Sequence, residues 1–294
     1  MDSFNLKQPK IKNTDNKDEE EDPVENPMIG LECIFQEPES FRPPSPEPKV
    51  LKHQTISGNI LNIRLVGGHP LWGHVLYPAS IVLSNYVEKN LNLINLNILE
   101  LGAGGGLPGL VCALSGAKLV VSTDFPDPDL IKNLEWNADH NLSETMRGRL
   151  KVEGLKWGST DLSSIFRYIH DQPMKKLELN HQKVRIGFDV IILSDLVFNH
   201  SEHASLLSTC ESCLRHIKSQ SSDEPFMLVF YSHHRPWLIQ ADLNFFQLAR
   251  QRGWNCENIV EDRSAGVAFP LDNGDPEVRG TVHGWKMTLT ECHE

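Results

Sequence analysis

Short apolar segments alternate with amphipathic ones along most of the chain. Residues 60–65 (ILNIRL) alternate apolar and polar positions, which predicts one strand of a leading hairpin. Further apolar runs predict strands at 97–101, 118–123, 149–155, 188–194, 226–232, about 254–261 and 281–289. After a helix that ends near residue 90, amphipathic stretches predict helices at 107–115, 127–141, 201–218 and 238–252.

This order of elements predicts the fold class. Strands that alternate with helices are typical of an α/β protein whose parallel sheet is covered on both faces. The last two predicted strands are joined by a loop at 261–280, so we expect them to pair antiparallel. The prediction is therefore a Rossmann-like, seven-stranded, mostly parallel sheet with helices on both faces and a C-terminal antiparallel strand pair.

The regular pattern predicts three regions. Residues 1–30 form an acidic tail that is too polar to bury a core, and we expect it to be disordered. Residues 31–66 combine a proline-rich arm, with scattered apolar anchors, and the hairpin. The main α/β domain is predicted at 67–294, with an insertion at 158–187 that carries a basic cluster (Lys175, Lys176, Lys183 and Arg185).

Charge and composition narrow the classes of function. The chain of 294 residues has a formal net charge of −11 and lacks the basic face that nucleic-acid binding requires. It has no apolar run long enough to span a membrane and no apolar signal segment at its start. The six cysteines form no dense disulfide framework. We therefore expect a cytoplasmic protein. Its acidity would suit a basic partner but is equally common among ordinary cytosolic enzymes.

A glycine-rich loop follows the strand at 97–101 and opens the next helix. A dinucleotide site has the pattern G-x-G-x-x-G, but counting from Gly102 its third glycine would fall at Leu107. The observed spacing places glycines at 102, 104 and 106, with Glu100 two residues ahead. This arrangement favours S-adenosyl-L-methionine (AdoMet) over NAD as the ligand. A glycine-rich turn without a ligand is the alternative for this motif taken alone.

Three further strand ends carry residues suited to the same ligand. Asp124 ends the next strand and could accept both ribose hydroxyls, although it could also cap a helix, a role that Asp127 fits equally well. Trp157 follows the third strand, where it could lie beside an adenine or belong to the core. Ser194 ends the fourth strand. Ligands of open α/β sheets bind at the carboxyl ends of strands, so the joint pattern predicts one site.

These motifs resemble the family-16 methyltransferases, and within them a fungal nicotinamide N-methyltransferase-like subfamily. The resemblance rests on FQEPESFRPP (35–44), GHPLWGHVLY (68–77), LELGAG (99–104), DFPDPDLI (124–131) and YSHHRP (231–236). It implies an AdoMet-dependent enzyme that methylates the N-terminal α-amine and adjacent lysine of translation elongation factor 1-alpha. It also implies that the cofactor contacts are Trp72, Gly102, Ala103, Gly104, Asp124, Trp157 and Ser194.

The sequence specifies less well which residues contact the amine that accepts the methyl group. Candidates for a channel that receives the amine are Asp195, Asn199, Tyr231, His233 and His234, and none is assigned a catalytic role. Trp72 and Tyr231 could contribute cation–π contacts. Asn199 and Glu202 also fit a capping box for a helix that begins near Ser201.

Two alternatives to a protein methyltransferase stay open at this point. One is a small-molecule N-methyltransferase, and the other is a binding module that kept the fold without the activity. Methyl transfer requires no metal, and the sequence has no zinc-like pairing of cysteines. We therefore expect no metal site and a structural role for Cys210 and Cys213.

Overall fold

The computed structural model describes residues 46–70, 73–169, 187–215 and 224–289, together with the backbone of 178–179 and 182–183. All of these lie in one compact unit that spans residues 45–294. The acidic tail, the arm up to residue 45 and the side chains of the basic cluster fall outside the described residues. The predicted division into three regions stays a prediction.

Most predicted elements lie close to their predicted positions, but the helix predicted at 201–218 ends at Cys213, and the structure adds two short strands and three short helices that were not predicted. In chain order the strands are β1 (Lys49–Gln54), β2 (Ile60–Leu65), β3 (Asn97–Leu101), β4 (Leu119–Asp124), β5 (Leu150–Gly154), β6 (Glu178–Leu179), β7 (Gln182–Lys183), β8 (Val190–Ser194), β9 (Phe226–Ser232), β10 (Trp254–Asp262) and β11 (Val282–Leu289). The helices are α1 (Pro78–Asn90), α2 (Leu107–Leu114), α3 (Pro128–Asn141), α4 (Glu144–Arg147), α5 (Ser163–Phe166), α6 (His203–Cys213), α7 (Ile239–Gln251) and α8 (Pro276–Gly280). Within the described ranges, no helix has the length and apolar character needed to cross a membrane.

The central sheet has seven strands in the order β10-β11-β9-β8-β3-β4-β5. Strand β11 is antiparallel to both of its neighbours, β10 and β9, whereas the pairs from β9 to β5 are all parallel. The predicted sheet and its C-terminal antiparallel pair are thereby confirmed. The strands that follow β3 in the chain, β4 and β5, lie toward one edge of the sheet, whereas β9, which follows β8, lies toward the other edge. The carboxyl ends of β3 and β8 therefore border the crevice where α/β sheets bind ligands.

Helices cover both faces of the sheet, as predicted, because strand side chains alternate between them. One core contains Ile98 of β3 with the hairpin and helices α1 to α3. The other contains the next residue, Leu99, with helices α5 to α7. Cys210 and Cys213 belong to this second core, where burial raises the pKa of both thiols. Their environment is that of packed apolar side chains.

Helix α6 begins two residues after the predicted start near Ser201, and the capping box considered for Asn199 and Glu202 does not form. The helix begins at His203 and is preceded by a 3-10 turn at His200–Glu202. Neither Asn199 nor Glu202 makes a side-chain capping bond, and Asn199 Oδ1 instead accepts a bond from Ser201 Oγ. The sequence pattern for a capping box was present, but the chain leaving β8 turns more tightly and shifts the first α-helical residue onward.

Asparagines one turn apart on α3 attach the hairpin to the core. Asn137 accepts a hydrogen bond from the Arg64 backbone N–H at 2.7 Å and donates to the Arg64 carbonyl at 2.8 Å. It also donates to the carbonyl of Gly105 at 3.0 Å, which links the hairpin to the glycine-rich loop. Asn141 repeats the two-way pairing with Asn62 nearer the end of the helix. These amides satisfy the outer backbone edge of β2, which has no strand partner on that side in the described part of the chain.

We expect Asn137→Ala to destabilise the protein by about 2–3 kcal/mol, because it removes the acceptor of the Arg64 N–H and the buried bond to the Gly105 carbonyl, while the Arg64 carbonyl keeps a bond from Asn133. Asn141→Ala is the matched control and should cost about 1 kcal/mol, since its bonds lie at a partly exposed site. Urea unfolding of both variants measures the difference. Equal destabilisation by the two substitutions would contradict a special role for the bond to Gly105.

Candidate active site

A cavity of about 390 Å³ lies at the carboxyl ends of the central strands. Six of the seven residues predicted to contact the cofactor line it: Gly102, Ala103, Gly104, Asp124, Trp157 and Ser194. The seventh, Trp72, lies outside the described residues, although Pro70 and Gly73 on either side of it also line the cavity. The structure therefore brings together residues that are far apart in sequence. The volume of the cavity is within the range of small-molecule sites.

The glycine loop adopts backbone conformations that favour glycine. Gly102, Gly104 and Gly106 have φ angles of 60°, 56° and 70°, which lie in the left-handed region. A Cβ on Gly102 would approach Leu196 Cδ2 to 2.6 Å, so a larger residue would also displace the cavity wall. A Cβ on Gly104 would meet no protein atom within 4 Å. The backbone at Gly104 is thus left open for the close approach of a ligand.

Asp124 joins the end of β4 to this loop. Its Oδ2 accepts a bond from the Gly104 N–H and its Oδ1 from the Phe125 N–H, both at 2.7 Å. Burial raises the pKa of Asp124, against the opposing effect of the two N–H donors and His69. Each carboxylate oxygen can accept a further hydrogen bond. Asp127, and not Asp124, caps helix α3 by accepting from the Asp129 N–H, so the alternative role considered for Asp124 falls to its neighbour.

Two further residues that line the cavity, Ser194 and Trp157, suit a polar ligand that carries a flat ring. The hydroxyl oxygen of Ser194 is buried and has no hydrogen-bond partner among the residues that the structure describes. Buried polar groups normally have partners, so this oxygen is available to a ligand in the cavity. Trp157 lies against Gly102, and its Cζ2 atom would be 3.1 Å from a Cβ at that position. The donors and acceptors of the cavity fit an amino-acid and nucleoside ligand such as AdoMet.

Glu100, two residues before the glycine loop, connects β3 to β4 and to helix α2. The carboxyl group is fully buried and accepts bonds from Ser122 Oγ at 2.5 Å and from the Gly109 N–H at 3.2 Å. A Cβ on Gly109 would lie 2.3 Å from Glu100 Oε2, so α2 can only pack here with glycine. Burial raises the pKa of Glu100 from 4.5 to about 7, although these hydrogen bonds oppose the shift. The acid ahead of the glycines therefore anchors α2 and does not line the cavity.

We expect Glu100→Gln to remove part of the pH dependence of folding. The folded pKa, about 7, exceeds the unfolded value of 4.5, so ionisation of Glu100 destabilises the fold as the pH rises between these values. At 1.36 kcal/mol per unit, this costs the wild type about 3 kcal/mol above pH 7, and glutamine avoids it. Urea unfolding at pH values from 4.5 to 8 should show that the free energy of unfolding of the variant increases relative to that of the wild type as the pH rises. A difference between the two proteins that does not change with pH would contradict the raised pKa of Glu100.

Asp195 follows β8 in an unusual backbone conformation. Its φ angle of 59° is uncommon for a residue other than glycine, and such strain is concentrated at functional sites. Its Oδ2 lies 2.9 Å from His234 Nε2, and its Oδ1 accepts a long bond of 3.4 Å from the Ser232 N–H. Burial lowers the pKa of His234, but Asp195 outweighs this and leaves it raised. A buried carboxylate is thus held rigidly in the wall of the cavity.

The other candidates for the acceptor side separate into two groups. Asn199 lines the cavity, and His234 contacts it indirectly through Asp195. Tyr231 and His233 do not line it, so their assignment to the channel is wrong. Tyr231 points from β9 into the second core, and His233 Nδ1 pairs with Asp242 at 2.7 Å. Tyr231 faces away from the crevice because strand side chains alternate between the two faces of the sheet, whereas His233 follows β9 and is held away by Asp242.

The sequence interpretation missed two aromatic residues of the site. Tyr77, just before α1, and Phe198, after β8, line both the main cavity and a smaller one of about 70 Å³ beside it. Tyr77 ends the segment 68–77 that contributes to the resemblance, but nothing in its spacing predicts that it lines the same cavity as Asp195. Among the described residues, no group of three or more His, Cys, Asp or Glu side chains is arranged to hold a metal ion.

Comparison with known proteins agrees with this geometry. The family model described as lysine methyltransferase matches residues 57–252. The protein N-terminal and lysine N-methyltransferase efm7 of Schizosaccharomyces pombe is 40% identical over 261 residues, covering 87% of this chain and 94% of that protein. The protein of the same name from Cryptococcus neoformans is 41% identical over 292 residues, covering 92% of this chain and 90% of its own. The one from Emericella nidulans is 35% identical over 259 residues, covering 86% and 94%.

The family match spans strand β2, the glycine loop and the strand ends that surround the main cavity. The relatives extend the similarity over most of the chain. The chain therefore belongs to the lysine methyltransferase family and is an AdoMet-dependent methyltransferase.

Proposed function

We propose that this enzyme methylates the N-terminal α-amine and the adjacent lysine of translation elongation factor 1-alpha in the cytoplasm. The relatives named above are N-terminal and lysine methyltransferases, which supports a protein acceptor. The observation that carries the proposal is the position of Asp195, a buried carboxylate beside the cofactor cavity. A carboxylate at that place suits an amine acceptor.

Gly102, Ala103, Gly104, Asp124, Trp157 and Ser194 would hold the cofactor. Asp124 has acceptor capacity for the ribose hydroxyls, Ser194 offers a hydroxyl, and Trp157 offers a flat apolar surface. Trp72 is proposed as a seventh contact on the resemblance alone. When bound, AdoMet supplies an activated methyl group, so the protein has mainly to position the acceptor and exclude water.

The acceptor must be a neutral amine when it attacks. An N-terminal α-amine has a pKa of about 7.7–8.0, so about a tenth of it is already neutral at pH 7. A lysine, with a pKa of about 10.4, costs roughly 4–5 kcal/mol to deprotonate there. In this proposal the Asp195 carboxylate accepts a hydrogen bond from the amine and directs its lone pair. The same group would accept the ammonium proton when lysine is the acceptor.

The rim of the cavity favours a protein acceptor over a free small molecule. Phe125 and Phe198, which both line the cavity, are 45% and 38% exposed. An enclosed pocket would bury such side chains around a small ligand, whereas exposed aromatic residues at an open mouth suit contact with another protein. A nicotinamide-type acceptor is the alternative that the experiment must separate.

The test is a transfer assay with purified enzyme, tritium-labelled AdoMet and lysate from fungal cells that lack the enzyme. One labelled protein is expected, and mass spectrometry should identify it as elongation factor 1-alpha modified at its first two residues. Label in small molecules alone would favour the alternative. Label on an unrelated protein would refute the proposed substrate while leaving the activity intact.

A further inference from the structure

A second, smaller cavity lies beside the main one, and we call it the side pocket. It has a volume of about 70 Å³ and is bordered by Tyr77, Phe198, His234, Phe269, Asp242 and Asp272. Tyr77 and Phe198 also line the main cavity, so the two spaces share a wall. A substrate whose amine lies beside Asp195 would therefore have a neighbouring group within reach of the side pocket.

Aromatic rings form much of this pocket. The centroid of His234 lies 5.7 Å from that of Tyr77, 5.7 Å from that of Phe269 and 6.5 Å from that of Phe198. Tyr77 and Phe269 meet edge to face at 6.0 Å. The electron-rich faces of Tyr77, Phe198 and Phe269 attract cations, and such a cluster suits an alkylammonium group.

One carboxylate adds to this preference. Asp242 is 4% exposed and already pairs with His200 at 2.6 Å and with His233 at 2.7 Å, so its charge is engaged within the protein. Asp272 is more accessible: its side chain is 60% exposed, and its carboxylate is 3.9 Å from Arg279 Nη2. Arg235 also borders the pocket, but it is exposed, where solvent screens its charge. An ammonium group could therefore gain Asp272 as a partner.

Arg279 holds the loop that closes the pocket. This guanidinium is 3% exposed and donates to three backbone carbonyls, those of Asp272 (2.6 Å), His234 (3.2 Å) and Phe269. The bonds tie the segment between β10 and α8 to the end of β9. Phe269 and Asp272 are thus placed on a fixed backbone, which is what a specificity pocket requires.

We propose that the side pocket binds the ammonium side chain of the lysine next to the N-terminus while the α-amine is being methylated. The inference rests on the proposed function, which supplies two amines on consecutive residues to one cofactor site. The aromatic rings and Asp272 hold the idle lysine, and Asp195 faces the reacting amine. Lysine at the second position is then a specificity determinant for methylation of the first.

The test compares two peptides with the N-terminal sequence of the substrate, one natural and one with norleucine in place of the lysine. Norleucine keeps the apolar chain and removes the charge. Using the full-length enzyme and saturating AdoMet, mass spectrometry measures KM and kcat for α-amine methylation. We expect norleucine to raise KM about tenfold with little change in kcat, as expected for the loss of about 1.4 kcal/mol of binding.

Variants of the pocket make the test specific. In Asp272→Asn and Phe269→Leu the penalty for norleucine should shrink to about twofold, because the lysine has already lost its partners. Leu271→Ala is the matched control: this side chain is 98% exposed, lies in the same loop and does not border the pocket. It should keep the tenfold penalty. AdoMet affinity, measured by calorimetry, confirms that each variant is folded.

Equal KM values for the two peptides in the wild type would overturn the inference, as would a tenfold penalty that persists in both pocket variants. In either case α-amine methylation would continue, so the proposed function would survive. Absence of methylation on the peptide and on intact elongation factor 1-alpha would instead refute the proposed function and the inference with it.

Discussion

Asp124→Ala is expected to weaken AdoMet binding on the order of a thousandfold. Hydrogen bonds to a charged group contribute about 1.5–3 kcal/mol each, and the carboxylate has capacity for both ribose hydroxyls, so about 4 kcal/mol is lost. The substitution also removes the acceptor of the Gly104 N–H, which loosens the loop at the point of closest approach. Isothermal titration calorimetry with AdoMet measures the effect.

Asp129→Ala is the matched control for that measurement. Asp129 lies in the same acidic segment but is exposed on the first turn of α3 and does not line the cavity. Its loss should leave the AdoMet affinity within about twofold, since exposed charges are strongly screened. An unchanged affinity in Asp124→Ala would remove this carboxylate from the cofactor site and would leave its raised pKa without a functional explanation.

Asp195→Asn is expected to lower kcat on the order of a thousandfold and leave AdoMet affinity nearly unchanged. Asparagine tolerates positive φ angles, so the backbone after β8 should persist. The variant loses the negative oxygen that orients the amine and accepts its proton, and groups of this type contribute about 10²–10⁴ to rate. Single-turnover methylation of the protein substrate measures the chemical step.

The loss should be larger for lysine than for the α-amine, because lysine depends more on a base near neutral pH. Glu257→Gln, which neutralises an exposed acid on β10, is the control and should retain full activity. A kcat within about threefold of wild type for both amines in Asp195→Asn would show that the carboxylate has no part in the transfer, since positioned acids and bases contribute more than this.

Many residues that line the candidate site could be predicted from the sequence alone. Glycines at 102, 104 and 106 were recognisable because only glycine takes left-handed φ angles freely, and the structure places all three there. Asp124 and Ser194 were recognisable because a polar residue that ends a buried apolar strand lies at the ligand-binding edge of a parallel sheet. The same local logic gave the strands to within about two residues of their observed ends.

The residues on the acceptor side of the cavity could not be predicted in the same way. Tyr77 comes from the segment before α1 and Phe269 from the loop after β10, yet their rings lie 6.0 Å apart. Nothing in the periodicity of either segment encodes this meeting, which depends on the packing of α1 against the sheet and on the bonds that Arg279 makes. Conversely, Tyr231 and His233 are close in sequence to His234, but Tyr231 points into the second core and His233 is held by Asp242.

The sequence by itself determined the α/β class, the seven strands and the residues of the glycine loop, because these depend on hydrophobic periodicity and on backbone conformations that few residues permit. The tertiary structure alone decided which side chains meet across the crevice. It paired Asp195 with His234, joined Asn137 to both the hairpin and the loop, and formed the side pocket. Such contacts link segments distant along the chain, and the packing of whole elements fixes their geometry.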